Sequence, residues 1–123
     1  MKTENDIILF MHELPVSQEI LKVLQDEAKK RNARVKGVKL RIGRLSGNEP
    51  NSIAFFLEVL TKGTDMEGLK VESEVIDPVL LCNACKKEFT VEDIIFICPH
   101  CGSVDCKMLS GGDLEIVTIS LED

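Results

Sequence analysis

Apolar residues recur along this chain with two different periods, and the change of period marks its elements. Between Pro15 and Asn32, Ile20, Leu21, Leu24 and Ala28 share one helical face, while Lys22, Gln25, Asp26, Lys29 and Lys30 fill the other. Pro15 suits a first helical turn, and Lys29-Lys30-Arg31 opposes the dipole at the far end. Val38, Leu40 and Ile42 then alternate with Lys39 and Arg41, which predicts a half-buried strand over 35–43. A loop from Gly43 to Glu49 leads to Pro50, which opens a second helix with Asn48 or Glu49 near its cap. Ile53, Phe56, Leu57 and Leu60 form its core-facing stripe, and Gly63 ends it. Leu69, Val71 and Val75 alternate with Lys70, Glu72 and Glu74 as a second strand over 69–77, bounded by Asp77-Pro78. Ahead of all this, Met1 to Asp6 is polar and expected to fray, and Ile7 to Met11 is either a short strand or a lead-in.

The last apolar run, Leu114 to Leu121, has apolar residues in both strand phases. It is therefore expected to be covered on both faces or bulged. Between it and the second strand lie Cys82-Asn83-Ala84-Cys85 and Cys98-Pro99-His100-Cys101. Two Cys-x-x-Cys pairs separated by a hairpin's length read as a four-thiolate zinc site, closed and structural. Phe89 and Phe96 are expected beside the metal, and the phenylalanines generally as plain core. A free zinc ribbon would not need an apolar strand after it, so the ribbon reads as an insertion. Residues 113–121 then return to the sheet of 35–43 and 69–77. The fold class is α+β: a small mixed sheet with two helices, plus an inserted zinc-ribbon module. The organisation is an N-terminal extension (1–10), an α+β domain (11–77 plus 110–123) and a zinc-ribbon domain (78–109).

Composition narrows the function. The chain has 123 residues, 44% of them hydrophobic, which suits one domain with a small module. The net charge of −6 argues against a general nucleic-acid binder. Within 78–109, Lys86, Lys87 and Lys107 face Glu88, Glu92, Asp93 and Asp105, with no basic stripe for a ribbon of the transcription or translation machinery. That machinery is nevertheless the alternative function, and a redox use of the cysteines is a third. Four of five cysteines in zinc spacing fit a reducing compartment. No run approaches the ~20 apolar residues of a membrane span. With no signal peptide in Met1 to Met11, the expected location is the cytoplasm.

The chain has two histidines, His12 and His100. His12 is either an exposed residue at a helix entrance or a metal ligand beside Glu13. No HExxH follows, because position 16 is Val16. His100 is a spacer in the second knuckle, or else a replacement ligand or a ligand to a second metal. Cys106 is a half-buried filler or an alternative ligand. Walker and deaminase patterns are absent, so no catalytic residue is assigned and the chain is read as not an enzyme.

Met11-His12-Glu13-Leu14 before an amphipathic helix resembles the start of the HypA/HybF hydrogenase nickel-incorporation family. Ile42-Gly43-Arg44-Leu45-Ser46-Gly47 with Glu49-Pro50, the stretch Phe56 to Thr64, both Cys-x-x-Cys pairs and Gly112-Asp113-Leu114-Glu115-Ile116 are similar to its later blocks. The resemblance runs from about Met11 to the end. It implies a nickel metallochaperone working with a HypB-type GTPase to supply the precursor of the NiFe-hydrogenase large subunit, and in some organisms urease. It implies labile, transferred nickel at His12 and Glu13, with Glu49 approaching the same site, and one structural zinc on Cys82, Cys85, Cys98 and Cys101. Neither nucleic acid nor membrane is a partner, and the chain is a monomer or homodimer. Members typically begin at the Met-His-Glu, whereas ten residues precede Met11 here, so translation starts at Met1 or at Met11.

Overall fold

The computed structural model describes residues 4–91 and 96–122, with side chains described from Glu13 onward. In chain order the elements are α1 (Glu4–Arg31), β1 (Val35–Gly43), α2 (Pro50–Thr61), β2 (Lys70–Ile76), β3 (Val79–Cys82), β4 (Glu88–Thr90), β5 (Cys106–Ser110) and β6 (Leu114–Leu121). They form two three-stranded sheets, ordered β2-β1-β6 and β4-β3-β5. The first is mixed: β1 runs parallel to β2 and antiparallel to β6. The architecture is α+β, and none of the described helices is long and apolar enough to cross a membrane.

β1 is the central strand, and its pattern explains its place. Val35, Val38, Leu40 and Ile42 are all at most 3% exposed and meet Ile20 and Leu24 of α1 and Ile53 and Leu57 of α2 in one core. Lys39 and Arg41 lie in register with Glu72 and Glu74 of β2, and Arg41 pairs with Glu74 at 3.6 Å. The other neighbour, β6, resolves the two-phase pattern. Leu40 pairs with Ile116 and Lys39 with Thr118, so Val117 is skipped and the register shifts there. This β-bulge keeps Leu114 and Ile116 before it, and Ile119 and Leu121 after it, packed against the same core. Of the two expectations for this strand, the bulge is the one observed.

Four expectations need correction. Ile7 to Met11 is neither strand nor lead-in, because α1 extends back to Glu4. Pro15 therefore lies inside the helix, and His12 lies within it, not before it. Proline there deletes the bond that would run to the carbonyl of Met11, so it marks a weak turn of α1 and not its start. Val75 is 42% exposed, because β2 is an edge strand that α2 covers only in part. Phe55 is 51% exposed. One residue from Phe56 it is rotated off the buried stripe, and it meets that ring edge-on at 5.6 Å between centroids.

The two sheets meet at a junction of backbone against backbone. The end of β1 donates from Gly43 to the Asp113 carbonyl (2.8 Å), from Arg44 to Ile76 (2.9 Å) and from Leu45 to Gly111 (3.1 Å). These bonds grip both chain crossings, one on each side of the cysteine segment. A Cβ on Gly43 would stand 2.1 Å from the Gly111 carbonyl oxygen, and one on Gly111 would stand 2.4 Å from Cα of Pro78. Outside the backbone, Arg44 Nε donates to Asp77 at 2.5 Å across the same junction.

Candidate metal centre

Two short turns build the site, and they are near copies of one another. In the first, Lys86 N–H donates to the Cys82 carbonyl at 2.9 Å and Cys82 N–H to the Lys87 carbonyl at 3.0 Å. In the second, Gly102 donates to Cys98 at 2.8 Å and Cys98 to Ser103 at 2.9 Å, at the same offsets. The residue after each second cysteine is left-handed, Lys86 at φ 65° and Gly102 at φ 76°. Glycine takes that conformation freely, and lysine takes it at a cost of roughly 1–2 kcal/mol. The turns are held together by Asn83, whose N–H meets the Asp105 carbonyl at 2.8 Å and whose Nδ2 meets Asp105 Oδ1 at 3.1 Å.

The result is one cluster. The Sγ atoms of Cys82, Cys85, Cys98 and Cys101 all lie within 4.8 Å of one another. Cys82 to Cys101 and Cys85 to Cys98 are each 3.6 Å apart, well beyond the ~2.05 Å of a disulfide. Zinc–sulfur bonds of about 2.3 Å give a tetrahedron with edges of roughly 3.8 Å, so the four sulfurs fit a tetrahedral thiolate site. Cys82 and Cys98 are buried, Cys85 is half-buried and Cys101 is exposed. Leu80, Phe89 and the half-buried Phe96 pack around them, as the sequence predicts.

Backbone amides prepare these sulfurs for a cation. The Cys85 amide donates to Cys82 Sγ at 3.5 Å and, with the Ala84 amide and the Cys101 and Cys85 thiols, outweighs burial to bring Cys82 down to about 6. Burial pushes the Cys98 thiol up, but the His100 and Cys101 amides and the neighbouring thiols leave it below its ordinary value. The Ser103 amide favours a Cys101 thiolate, yet Cys82, burial and the other cysteines carry Cys101 up to about 12. The four thiols thus share protons unevenly, with Cys82 more ready to ionise than Cys101. A thiol depressed from 9.0 to about 6 favours the folded site above pH 9 fully, and loses that advantage as pH falls through 6. Metal affinity is therefore expected to drop steeply between pH 7.5 and 5.5, as protons compete for all four sulfurs. Competition against a chromophoric chelator at the two pH values measures it.

His100 is exposed and contributes its backbone N–H, at 3.4 Å, to Cys98 Sγ. Cys106 is half-buried beside the cluster, its thiol facing the Ser103 carbonyl at 3.7 Å, and burial followed by Cys82 pushes it up. Neither belongs to the four-ligand group.

The other candidates lie elsewhere. His12 sits in α1, and its side chain is outside the described residues. Glu13 is only 4% exposed, and its Oε2 finds no hydrogen-bond partner among the described residues. Glu49 is the N-cap of α2. Its Oε1 accepts from Asn51 N–H at 3.1 Å, and its Oε2 accepts from Ser52 N–H at 2.8 Å and Ser52 Oγ at 3.1 Å. The Asn51 amide, ahead of the opposing effect of burial and with help from Ser52, holds this carboxyl below its ordinary value. Glu49→Ala is expected to cost about 1 kcal/mol by loss of the cap. In the parent the cap's contribution is present above pH 4.5 and disappears as pH falls through the depressed native value. Thermal unfolding of both chains at pH 7 and pH 3.5 checks the size and the sign. Among the described residues no metal-competent cluster includes Glu13 or Glu49.

The sequence marks Asp77-Pro78 and Gly111-Gly112 as two neighbouring chain crossings with a hinge at the glycine pair, but not how tightly Gly43 and Gly111 are packed there. A glycine pair at 111–112 is visible in the sequence, but the atoms that crowd Gly111 belong to Pro78, more than thirty residues earlier.

Known proteins place this arrangement. Residues 11–121 match the family model described as HypA, hydrogenase/urease nickel incorporation, metallochaperone. The chain is 35% identical over 113 residues to the hydrogenase maturation factor HypA of Trichodesmium erythraeum, covering 92% of this chain and 97% of that one. It is 34% identical over 112 residues to the protein of the same description from a Geobacter species, covering 91% and 100%. In fold it is similar to the solution structure of the nickel metallochaperone HypA from Helicobacter pylori, with a TM-score of 0.63 and 17% identity over 89% of this chain and 96% of that one. A second HypA solution structure gives a TM-score of 0.70 at 18% identity, over 91% and 97%. The chain belongs to the HypA family of hydrogenase-maturation nickel metallochaperones, a family of metal carriers and not of enzymes.

Proposed function

We propose that this chain binds nickel at the Met11-His12-Glu13 end of the family region and passes it, with a HypB-type GTPase, to the precursor of the NiFe-hydrogenase large subunit. Urease is a second destination, in keeping with the wording of the family model. The observation that carries the reading is the family match, which begins on Met11 and spans both the His12-Glu13 run and the four clustered cysteines. The chemistry sorts the metals. Four thiolates hold zinc as a resident structural ion, and imidazole with carboxylate or backbone groups suits an exchangeable nickel. The buried oxygen of Glu13, without a partner among the described residues and next to His12 in sequence, supports a cation at this interior turn of α1. Glu49 is the weakest of the three nickel candidates, because both of its oxygens already serve the α2 cap.

The zinc segment, 78–109, is a module set into a nickel-binding α+β domain of 11–77 plus 110–123, with 1–10 as an extension. Cys82, Cys85, Cys98 and Cys101 supply its zinc ligands, and the protein acts in the cytoplasm. The test is a nickel titration with metal counting on the zinc-loaded chain and its His12→Ala variant. The expected outcome is one zinc in both and one weaker nickel in the parent alone. Unaltered nickel binding by the variant would remove His12 from the site.

A further inference from the structure

Cys106 takes no part in the four-sulfur cluster, yet it lies directly across the β3–β5 pair from one of its members, Cys82. The bond from Asn83 N–H to the Asp105 carbonyl, 2.8 Å, brackets the two cysteines as a non-hydrogen-bonded antiparallel pair. Such pairs hold their Cα atoms about 4.5 Å apart with side chains on one face. That separation lies inside the ~4.4–6.8 Å that a disulfide tolerates without backbone movement. Cys106 packs on the same small core as Cys82. Cys82 thus neighbours both the three other sulfurs of the cluster and Cys106 across the strand pair.

We propose that Cys82 and Cys106 form a peroxide-driven disulfide that opens the metal site. Hydrogen peroxide transfers one oxygen to one of the two sulfurs, leaving a sulfenic acid and releasing water. The other sulfur attacks it as a thiolate, the S–O bond breaks, and the departing hydroxide takes up a proton as a second water. Two thiol sulfurs are oxidised by two electrons in total, and one peroxide is reduced to two waters. With Cys82 consumed, three ligands remain and the tetrahedral site is no longer closed. A thiol reductant restores both cysteines and the site. The inference rests on the four-cysteine metal reading, which is checked separately by counting metal before any peroxide is added.

The experiment uses the full zinc-loaded chain. Peroxide is added with a chromogenic chelator to read released zinc, the reaction is quenched by alkylation, and the peptides are mapped by mass spectrometry. One Cys82–Cys106 bridge is expected per zinc released, and metal uptake should return after reduction. Cys106→Ser should load zinc like the parent, yield no such bridge and release its metal several-fold more slowly. Equal release rates in the two chains would overturn the proposal. So would a parent map in which bridges join only the four ligand cysteines while Cys106 is recovered alkylated, a result that does not depend on the variant's folding.

Discussion

Replacing Cys98 with alanine will empty the metal site and unfold the segment between Pro78 and Ser110, leaving the helices in place. Cys98 is 1% exposed, and its sulfur receives the His100 amide while its backbone closes the second turn through Gly102 and Ser103. The apolar contribution around it is small. Leu80 and Phe89 are the only fully buried hydrophobic residues there besides Cys82 and Cys98, among the described residues. A segment this short cannot stand on so small a core without a staple. Structural zinc contributes on the order of 10–16 kcal/mol of apparent folding free energy in small zinc modules at neutral pH, so losing a buried ligand removes most of what holds the module. Metal analysis of the variant should fall from one equivalent of bound metal to near none, and limited proteolysis should cut between β3 and β5. Circular dichroism should keep the helical signal of α1 and α2, whose core is built from other residues. A variant that retains a full equivalent of metal would show that three sulfurs suffice.

Gly111→Ala will destabilise the whole chain, although no side chain is lost. Gly111 has φ +99°, where an L-residue is strained, and its added Cβ would lie 2.4 Å from Cα of Pro78. Both penalties are carried by backbone, which cannot rotate out of the way as a side-chain tip can. Strain and overpacking together should cost on the order of 2–5 kcal/mol. The neighbouring Gly112→Ala is the control. Its Cβ would meet only the flexible Met108 Cε at 2.9 Å, and its φ is not left-handed, so its effect should be much smaller. Thermal or urea unfolding of the two variants, with metal content checked in each, decides it. Equal losses would mean that the junction is not the tight point the geometry describes.

The sequence made the elements legible wherever one face of an element is buried. The strict alternation of Val38, Leu40 and Ile42 places β1, and the stripe of Ile53, Phe56 and Leu57 places α2, because water and core select opposite residue types at fixed period. The cysteine site was legible for a different reason: its spacing is local, so the turn that aims two sulfurs at one point is written in a few consecutive residues. Three features were not legible. The run in β6 allowed two explanations, because a bulge depends on the partner strand's register. The start of α1 was hidden by Pro15, which reads as a helix opener whether or not helix precedes it. The crowding of Gly43 against Gly111, and of Gly111 against Pro78, arises between segments far apart in sequence, so no window contains it.

The placement of β6 has a consequence for how the protein is made. β1 is among the first elements to leave the ribosome, yet its antiparallel partner, Leu114–Leu121, is the last. All five cysteines emerge before that strand does. The metal-binding turns are therefore free to close while β1 still offers an open edge, and Leu114–Leu121 then seals that edge.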